Sequence, residues 1–283
     1  MAKVKETTKT HGSKTTNIRE FSSLSSFYEY ITETPINTAF QWKTLQSVSN
    51  GKKFTGTESY EEAVGLLKNG WDDMAKDLTK KIKVVKNQVV EDQVQKIMFD
   101  VVGFQCSVPR YLQGIPTNMV NKKLVPVKQR VITLNKDISY NAMTSTEKII
   151  EASIQTLQLV KKIEAQGVRV NLNLVWGITA GNTTEVVKIR LKSANERVNI
   201  SKLAFPLVHP SMLRRLCFRY IETAPTITAS YTSGYGKPLD GSQLKQHCKD
   251  EYVLPRLFDG DLSQLGDLST ICNLTDQIVN GEK

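Results

Sequence analysis

The chain has 283 residues, of which 40% are hydrophobic and 23% are charged, and its formal net charge is +10. This composition is typical of a globular protein with a substantial core, arranged as one large domain or two modest ones. No stretch approaches the roughly 20 apolar residues of a membrane span, and the first residues lack the apolar segment of a signal peptide, so we expect an intracellular protein without membrane contact. Four widely spaced cysteines without a C-x-x-C pair argue against a zinc ribbon or a disulfide framework.

The N-terminal end of the chain is basic and polar. Residues 1–20 are rich in Lys, Thr and Ser and poor in apolar groups, which predicts a disordered basic tail. Beyond it, apolar residues recur at helical spacing, and Ser59 with Glu62 forms the pattern of a helix start. We therefore expect short helices, including residues 57–98 with a break near Gly70.

Residues 99–124 interrupt this helical pattern. Glycine and proline occur too often for a regular element, at Gly103, Pro109, Gly114 and Pro116. The segment is therefore predicted to be a structured loop with short strands, and its apolar residues predict that it packs against the body of the protein. Together these observations describe residues 21–124 as a helical and loop-rich N-terminal region.

Residues 130–193 give the clearest structural signal. A β-branched run at Val131 and Thr133 predicts a strand, and a polar loop after it leads into an amphipathic helix. The apolar residues of that helix share one face: Ile149, Ile150, Ile154, Leu157 and Val160. We expect Thr144 to cap the helix together with Glu147, and Gly167 to end it. Alternating apolar residues then predict two strands joined as a hairpin.

The order strand, helix, strand predicts a parallel pair with a right-handed crossover. The expected fold class is therefore α/β, with a doubly wound Rossmann-like sheet and a mainly helical N-terminal extension. We assign residues 125–260 to this core and residues 261–283 to a C-terminal segment. The polar loop 135–146 follows the first strand of the core, at the edge where open α/β sheets bind their ligands.

Two prolines, Pro206 and Pro210, precede a predicted helix over residues 211–222. His209 stands just before this helix. We interpret it as structural, with a ring nitrogen bonded to a backbone group at the helix start.

Within the polar loop, Asp137, Ser139 and Asn141 follow the spacing D-x-S-x-N. This order of elements with a D-x-S loop resembles the von Willebrand factor A domain, whose loop reads D-x-S-x-S and holds a divalent metal. The resemblance implies a site of oxygen ligands for a hard cation such as Mg²⁺, or a degenerate site without metal. The family's later ligands, a Thr and an Asp, have no clear motif here, the candidates being Thr183, Thr184, Asp259 and Asp261.

Two further phrases, YLQGIPTNMVNKK and FPLVHPSMLRRLCFRYIETAP, resemble a family of uncharacterised proteins encoded by tailed bacteriophages. Together with the core, this likeness extends over about residues 54–260. It implies a viral protein that is made in the host bacterial cytoplasm, with incorporation in the virion as an alternative. The resemblance carries no known activity.

Basic residues suggest a second class of function, because clustered Lys and Arg gain affinity for polyanions through counterion release. The candidate polyanion-binding residues lie in two groups, Lys76, Lys80, Lys81 and Lys83 in one and Lys202, Arg214, Arg215 and Arg219 in the other. The arginines are expected on one exposed face of the helix over residues 211–222. Solvated surface is the alternative interpretation of both groups.

No catalytic constellation emerges from the sequence, and we predict a protein that is not an enzyme. The expected function is a platform for protein interaction or assembly, acting on another phage or host protein through the loop Asp137–Thr144, with homo-oligomers left open. The alternative is a nucleic-acid-binding protein that uses the basic tail and the Lys and Arg faces. A metal-dependent hydrolase is a third hypothesis, weakened by the lack of a carboxylate pair with a nearby base.

Overall fold

The computed structural model describes residues 4–41, 43–82, 93–126, 130–140, 144–225, 235, 237–248, 251–254 and 275–278. For residues 93–95 and 124–126 it describes the backbone alone. No helix in these ranges is long and apolar enough to cross a membrane.

In the described residues, ten strands form two sheets. In chain order they are β1 Val4–His11, β2 Lys14–Phe21, β3 Gln93–Asp100, β4 Gln105–Cys106, β5 Met119–Pro126, β6 Val131–Asp137, β7 Arg169–Ala180, β8 Thr183–Lys192, β9 Lys237–Pro238 and β10 Tyr252–Leu254. The larger sheet has seven strands in the order β1-β2-β8-β7-β6-β10, with β9 paired to β7. The smaller sheet has the order β3-β5-β4.

Helices surround the larger sheet. In chain order they are α1 Leu24–Glu33, α2 Gln46–Ser49, α3 Lys52–Thr55, α4 Tyr60–Asn69, α5 Asp72–Lys81, α6 Val108–Leu112, α7 Thr146–Ala165, α8 Ile200–Val208, α9 Phe218–Thr223 and α10 Gly241–His247. A 3-10 turn, Thr38–Phe40, precedes α2, and a π-helical segment, Met212–Cys217, runs into α9. The expected α/β fold class is confirmed, with a mixed sheet and helices around it.

The centre of the larger sheet is built from the β6-α7-β7-β8 segment. β6 and β7 are parallel, and β8 turns back antiparallel to β7. β10 pairs in parallel with the other edge of β6. The chain thus leaves β6 toward β7 on one side and later returns to β10 on the other, which makes the carboxyl end of β6 the switch point of the sheet.

The N-terminal residues belong to the sheet, so the prediction of a disordered tail over residues 1–20 is wrong for its described part. β1 and β2 form a hairpin, and β2 pairs in parallel with β8 along its length. The turn of the hairpin holds Gly12 with a φ of 60°, a conformation that favours glycine. β2 forms despite its polar composition because its backbone groups hydrogen-bond to those of β8, and β1 then pairs with β2.

The main hydrophobic core joins the N-terminal helices to the sheet. Phe27, Leu78 and Leu174 are all fully buried in one cluster, so the region between residues 21 and 82 shares the core of the predicted central domain. Val175 belongs instead to a smaller cluster with Leu244 of α10. Because neighbouring strand residues point to opposite faces, helices cover both faces of the sheet.

The caps of α7 differ in one detail from the prediction. Ser145 is the N-cap, and its hydroxyl accepts the N–H of Lys148 at 3.4 Å, so the assignment of the cap to Thr144 is wrong. Glu147 lies in the first turn, where hydrogen bonds from its own backbone and from Ser145 lower the pKa of its carboxyl group. Gly167 has a φ of 85° after the last turn, as expected of a glycine that ends a helix.

Residues 93–126 form what we call the three-stranded unit, consisting of β3, β4, β5 and α6. The helical prediction is wrong for residues 93–98, which lie in β3 and pair antiparallel with β5. Gly103 allows the next turn to close, since a Cβ atom there would lie 2.2 Å from the carbonyl oxygen of Val120. None of the described side chains of the unit belongs to the two hydrophobic clusters, so the prediction that this segment packs against the body is wrong for these side chains.

Candidate functional site

The predicted metal loop lies at the carboxyl end of β6, and its described residues are buried. Asp137 is 1% exposed and Ser139 is 5% exposed. One carboxylate oxygen of Asp137, Oδ1, accepts the backbone N–H of Ser139 at 2.8 Å. Asp137 therefore helps to shape the turn that follows the strand.

The other metal ligands suggested by the resemblance are not brought together in the described residues. Asn141, Asp259 and Asp261 lie outside the described ranges. Thr184 lies in β8, where its hydroxyl is 3.3 Å from that of Thr179. The described residues contain no group of three His, Cys, Asp or Glu side chains placed to hold a metal ion. Asp137, Ser139 and Asn141 stay a prediction.

Lys136 precedes Asp137, and its side chain is buried, including the ammonium group. It is 2% exposed, and its Nζ has no hydrogen-bond partner in the described part of the chain. Burial lowers the pKa of Lys136 to about 8, although the neighbouring Asp137 acts in the opposite direction. This position places an unusual basic group beside the switch point.

A cavity of about 160 Å³ lies beside the same end of β6. The described residues of its wall are mainly aromatic and apolar, with one cation and three hydroxyl groups: Phe54, Ser139, Tyr140, Trp176, Ile178, Leu213, Arg214, Phe218, Ile221, Tyr235 and Pro238. β7 supplies Trp176 and Ile178, and the segment that includes the π-helical turn and α9 supplies four further residues of the wall. The cavity therefore joins the sheet edge to the C-terminal helices.

Arg214 is 5% exposed and forms part of this wall. It donates hydrogen bonds to the carbonyl oxygens of Phe54 at 2.7 Å and Thr144 at 3.1 Å. Its guanidinium carbon also lies 4.5 Å from the ring centre of Phe54 and 5.6 Å from that of Tyr140. Burial lowers the pKa of Arg214, with Tyr140 acting in the opposite direction. Arg214 thus connects α3, the loop before α7 and the cavity.

Arg215 is fully buried, so the prediction that Arg214 and Arg215 form an exposed polyanion-binding stripe is wrong. Its Nε donates to the hydroxyl of Thr57 at 2.7 Å. Its two terminal nitrogens donate to five backbone carbonyls, those of Ser47, Val48, Asn50, Thr57 and Glu58. The side chain holds together the loops around α2 and α3, because a guanidinium fork can satisfy many carbonyls at once.

The first group of predicted polyanion residues belongs to α5 and the residues after it. Lys76 and Lys80 are exposed on α5 and lie within 4 Å of Asp73 and Asp77, one turn away in each case. Lys81 is exposed near the end of α5, whereas Lys83 lies outside the described residues.

Lys202 and Arg219 lie elsewhere. Lys202 is at the start of α8 and lies 4.0 Å from Glu196. Arg219 packs over the ring of Tyr60 at 4.4 Å and lies 3.5 Å from the buried Glu222. The helix α8, which carries Lys202, packs against α5. The role of these cations in polyanion binding stays a prediction.

His209 has the structural role expected of it. Its Nδ1 accepts the backbone N–H of Ser211 at 3.1 Å, at the start of the π-helical segment. The ring stacks on Phe205 and meets the edge of Trp71, with ring centres 5.2 Å and 4.8 Å apart. Burial lowers the pKa of His209 to about 4, with Glu62 acting in the opposite direction.

The surface that sequence reasoning missed is the three-stranded unit. Its large hydrophobic side chains are 42% to 78% exposed: Ile97, Met98, Phe99, Val101, Val102, Phe104, Val108, Tyr111 and Leu112. Monomeric proteins rarely expose so many neighbouring apolar groups without a binding role. The density of apolar residues in this glycine- and proline-rich segment was the available signal, but it also fits a buried loop.

β3 is an edge strand of this unit. In the described part of the chain it pairs only with β5. Lys96, Ile97, Met98 and Phe99 are all exposed along it. At its end, Asp100 is ion-paired with Lys123 of β5. An exposed edge strand with apolar residues offers unpaired backbone groups to another strand.

Comparison with known families assigns the chain without giving an activity. The model of a domain of unknown function, DUF7192, matches residues 5–275, and the chain therefore belongs to this family. No curated protein and no solved structure matches the chain.

Proposed function

We propose that this member of the DUF7192 family is an assembly protein that associates with a second copy of itself through the three-stranded unit. The observation that carries the proposal is the exposed apolar surface of residues 97–112, none of which joins the hydrophobic clusters. Burial of such a surface in an interface stabilises the assembly by removing apolar area from water. That the protein is a phage product is also part of the proposal, because residues 111–123 and 205–225 resemble segments of proteins from tailed bacteriophages.

The sequence of β3 is complementary to itself in one antiparallel register. When Met98 lies opposite Met98 of the second copy, Lys96 lies opposite Asp100 and Ile97 opposite Phe99, each twice because of the two-fold symmetry. The adjacent two-fold registers, shifted by one residue pair in either direction, place Lys96 opposite Met98 or Val102 instead. Opposite charges and paired apolar residues across neighbouring strands favour the first register.

The ion pairs within the unit are compatible with this arrangement. Lys96 lies opposite Lys123 in the β3–β5 ladder, and Lys123 is paired with Asp100. In the proposed dimer, the carboxylate of Asp100 would also face Lys96 of the second copy. This second contact offsets the repulsion between the two lysines of one unit.

A charge exchange tests the proposal. Lys96→Asp or Asp100→Lys alone creates two like-charge pairs across the interface, and we expect a dimer about tenfold weaker in each case. The double variant Lys96→Asp/Asp100→Lys restores both pairs, and we expect its dimer to regain most of the lost affinity. Sedimentation equilibrium at several protein concentrations measures the dissociation constant.

The control addresses apolar exposure in general. Val48 is 50% exposed on α2, away from the three-stranded unit, so Val48→Ser is expected to leave the dimer unchanged. Phe99→Ser is expected to weaken it. A wild-type protein that stays monomeric would rule out this interface. A double variant whose loss of dimer affinity equals the combined losses of the two single variants would also rule it out.

The nucleic-acid alternative has less support. Arg214 and Arg215 are buried, and Lys76 and Lys80 lie beside acidic residues. No specific observation therefore favours a nucleic-acid function over the assembly function.

A further inference from the structure

Trp176, a side chain in the wall of the cavity beside the carboxyl end of β6, carries a buried hydrogen-bond donor without an acceptor in the described residues. Trp176 is 1% exposed and lines the cavity. Its indole Nε1 has no hydrogen-bond partner in the ranges that the structure describes. Buried donors are nearly always paired, and one left without a partner costs about 1–3 kcal/mol. The cavity is therefore suited to a molecule that brings an acceptor.

The walls define the shape of that molecule. Among the described residues, five aromatic side chains line the space, namely Phe54, Tyr140, Trp176, Phe218 and Tyr235. Aromatic walls favour planar rings, which pack against them by stacking or edge contacts. The volume of about 160 Å³ is close to that of the roughly 150 Å³ apolar cavity that accepts benzene. A single six-membered ring with a small substituent fits this space.

The charge of the cavity wall favours an anion. The guanidinium group of Arg214 lies in the wall against the faces of Phe54 and Tyr140. The two tyrosine hydroxyls add no negative charge near neutral pH, because burial raises the pKa of Tyr140 and, together with Glu222, that of Tyr235. A positive group in a weakly hydrated wall attracts a carboxylate more strongly than it would in water.

Part of the described cavity wall lies at the surface. Phe54, Leu213, Phe218 and Tyr235 are partly exposed, and Pro238 is exposed. It adjoins the switch point of the sheet, the place where open α/β sheets bind ligands. Ser139, the second residue of the predicted metal loop, belongs to the same wall.

We infer that this cavity is a binding site for a small aromatic carboxylate, whose ring packs between the aromatic walls and whose carboxylate accepts the indole N–H of Trp176 beside Arg214. The site is independent of the proposed dimer interface, since none of its described lining residues belongs to the three-stranded unit.

Benzoate is the probe for this site. Ligand-observed NMR and isothermal titration calorimetry are expected to show saturable binding of one benzoate per chain. Benzyl alcohol, which keeps the ring and lacks the charge, is expected to bind at least about tenfold more weakly, because it loses the charge-assisted hydrogen bond from Trp176 and the attraction of Arg214. Cyclohexanecarboxylate is expected to bind more weakly because its ring is not planar.

Two variants locate the binding. Trp176→Phe keeps an aromatic wall but removes the N–H, and we expect benzoate to bind about tenfold more weakly. Leu213→Phe adds volume to the wall and is expected to abolish binding. Trp71→Phe is the matched control, because Trp71 packs against His209 outside the cavity lining, and it should leave benzoate affinity unchanged.

Circular dichroism and the melting temperature establish that each variant is folded. If Trp176→Phe does not fold, the Leu213→Phe result decides. Absence of saturable benzoate binding to the wild-type chain would overturn the proposal, and so would equal binding by the wild type and a folded Trp176→Phe or Leu213→Phe variant. In either case an ordered water molecule would be the simpler acceptor for the indole.

Discussion

Single residues in this protein show how burial decides between a functional and a structural role. His209 and Arg215 are both residue types that bind ligands in other proteins, yet both are used here to satisfy backbone groups. The role of His209 was predictable because it stands directly before a helix start. The role of Arg215 was not, since its carbonyl partners lie about 160 positions away in sequence and only the folded chain brings them together.

The depressed pKa of His209 predicts a loss of stability in acid. The folded pKa is about 4 and the ordinary value is 6.5, so the unfolded chain binds a proton between these pH values while the folded chain does not. Neutral His209 therefore contributes fully to the stability of the folded state above pH 6.5. As the pH falls toward 4, the free energy of unfolding decreases by up to about 3 kcal/mol.

Urea unfolding between pH 7 and pH 4 measures this effect. His209→Asn can still accept the N–H of Ser211 but does not titrate in this range. We expect the variant to be less stable at pH 7, because it loses the ring contacts, and to lose less stability on acidification. Parallel pH profiles for the two proteins would show that protonation of His209 is not responsible.

Secondary-structure elements differ in how far the sequence determines them. The β6-α7-β7-β8 segment was predictable because its apolar periodicity is local and its helix has clear ends. The strands β1 and β2 were not, because their polar residues resemble a flexible tail and their pairing depends on β8, more than 160 residues away. Similarly, β3 follows a helical region and is defined by its partner β5 rather than by its own pattern.

The loops around α2 and α3 depend on one side chain from the π-helical segment. Arg215 donates to five backbone carbonyls and one hydroxyl there. A lysine has a single nitrogen and cannot reach them all, so Arg215→Lys is expected to lower the free energy of unfolding by about 2–4 kcal/mol.

Chemical denaturation measures this loss, with Arg197→Lys as the matched control. Arg197 is exposed, and its replacement is expected to change stability by less than about 0.5 kcal/mol. If Arg215→Lys were as stable as the wild type, these hydrogen bonds would not be what holds the loops in place.

At the scale of the whole molecule, the chain divides its apolar residues between a shared core and the exposed three-stranded unit. The α/β class was predictable from the order of elements, and the switch point at β6 followed from it. The candidate site was only partly predictable. The sequence indicated Asp137 and Ser139, whereas the cavity depends on residues such as Phe54, Trp176 and Arg214 that come from distant parts of the chain.

The predicted interaction through the loop Asp137–Thr144 gives way, in our account, to the three-stranded unit. Asp137, Ser139 and Thr144 are each at most 5% exposed, so these three offer little surface to a protein partner, whereas residues 141–143 of the loop lie outside the described ranges. The exposed edge of β3 offers both apolar side chains and unpaired backbone groups. The central claim is therefore that two chains meet along this strand.

Disulfide trapping at Met98 tests this claim most directly. Residues opposite each other in an antiparallel pair have Cα atoms about 4.5–5.5 Å apart, which lies within the range that a disulfide spans. The exposed Cys106 is first replaced by serine, and Met98→Cys is compared with Val48→Cys in that background. We predict that mild oxidation crosslinks Met98→Cys into dimers that reducing agent reverses, while Val48→Cys stays monomeric. Equal crosslinking of the two variants, or none at Met98→Cys, would contradict the account.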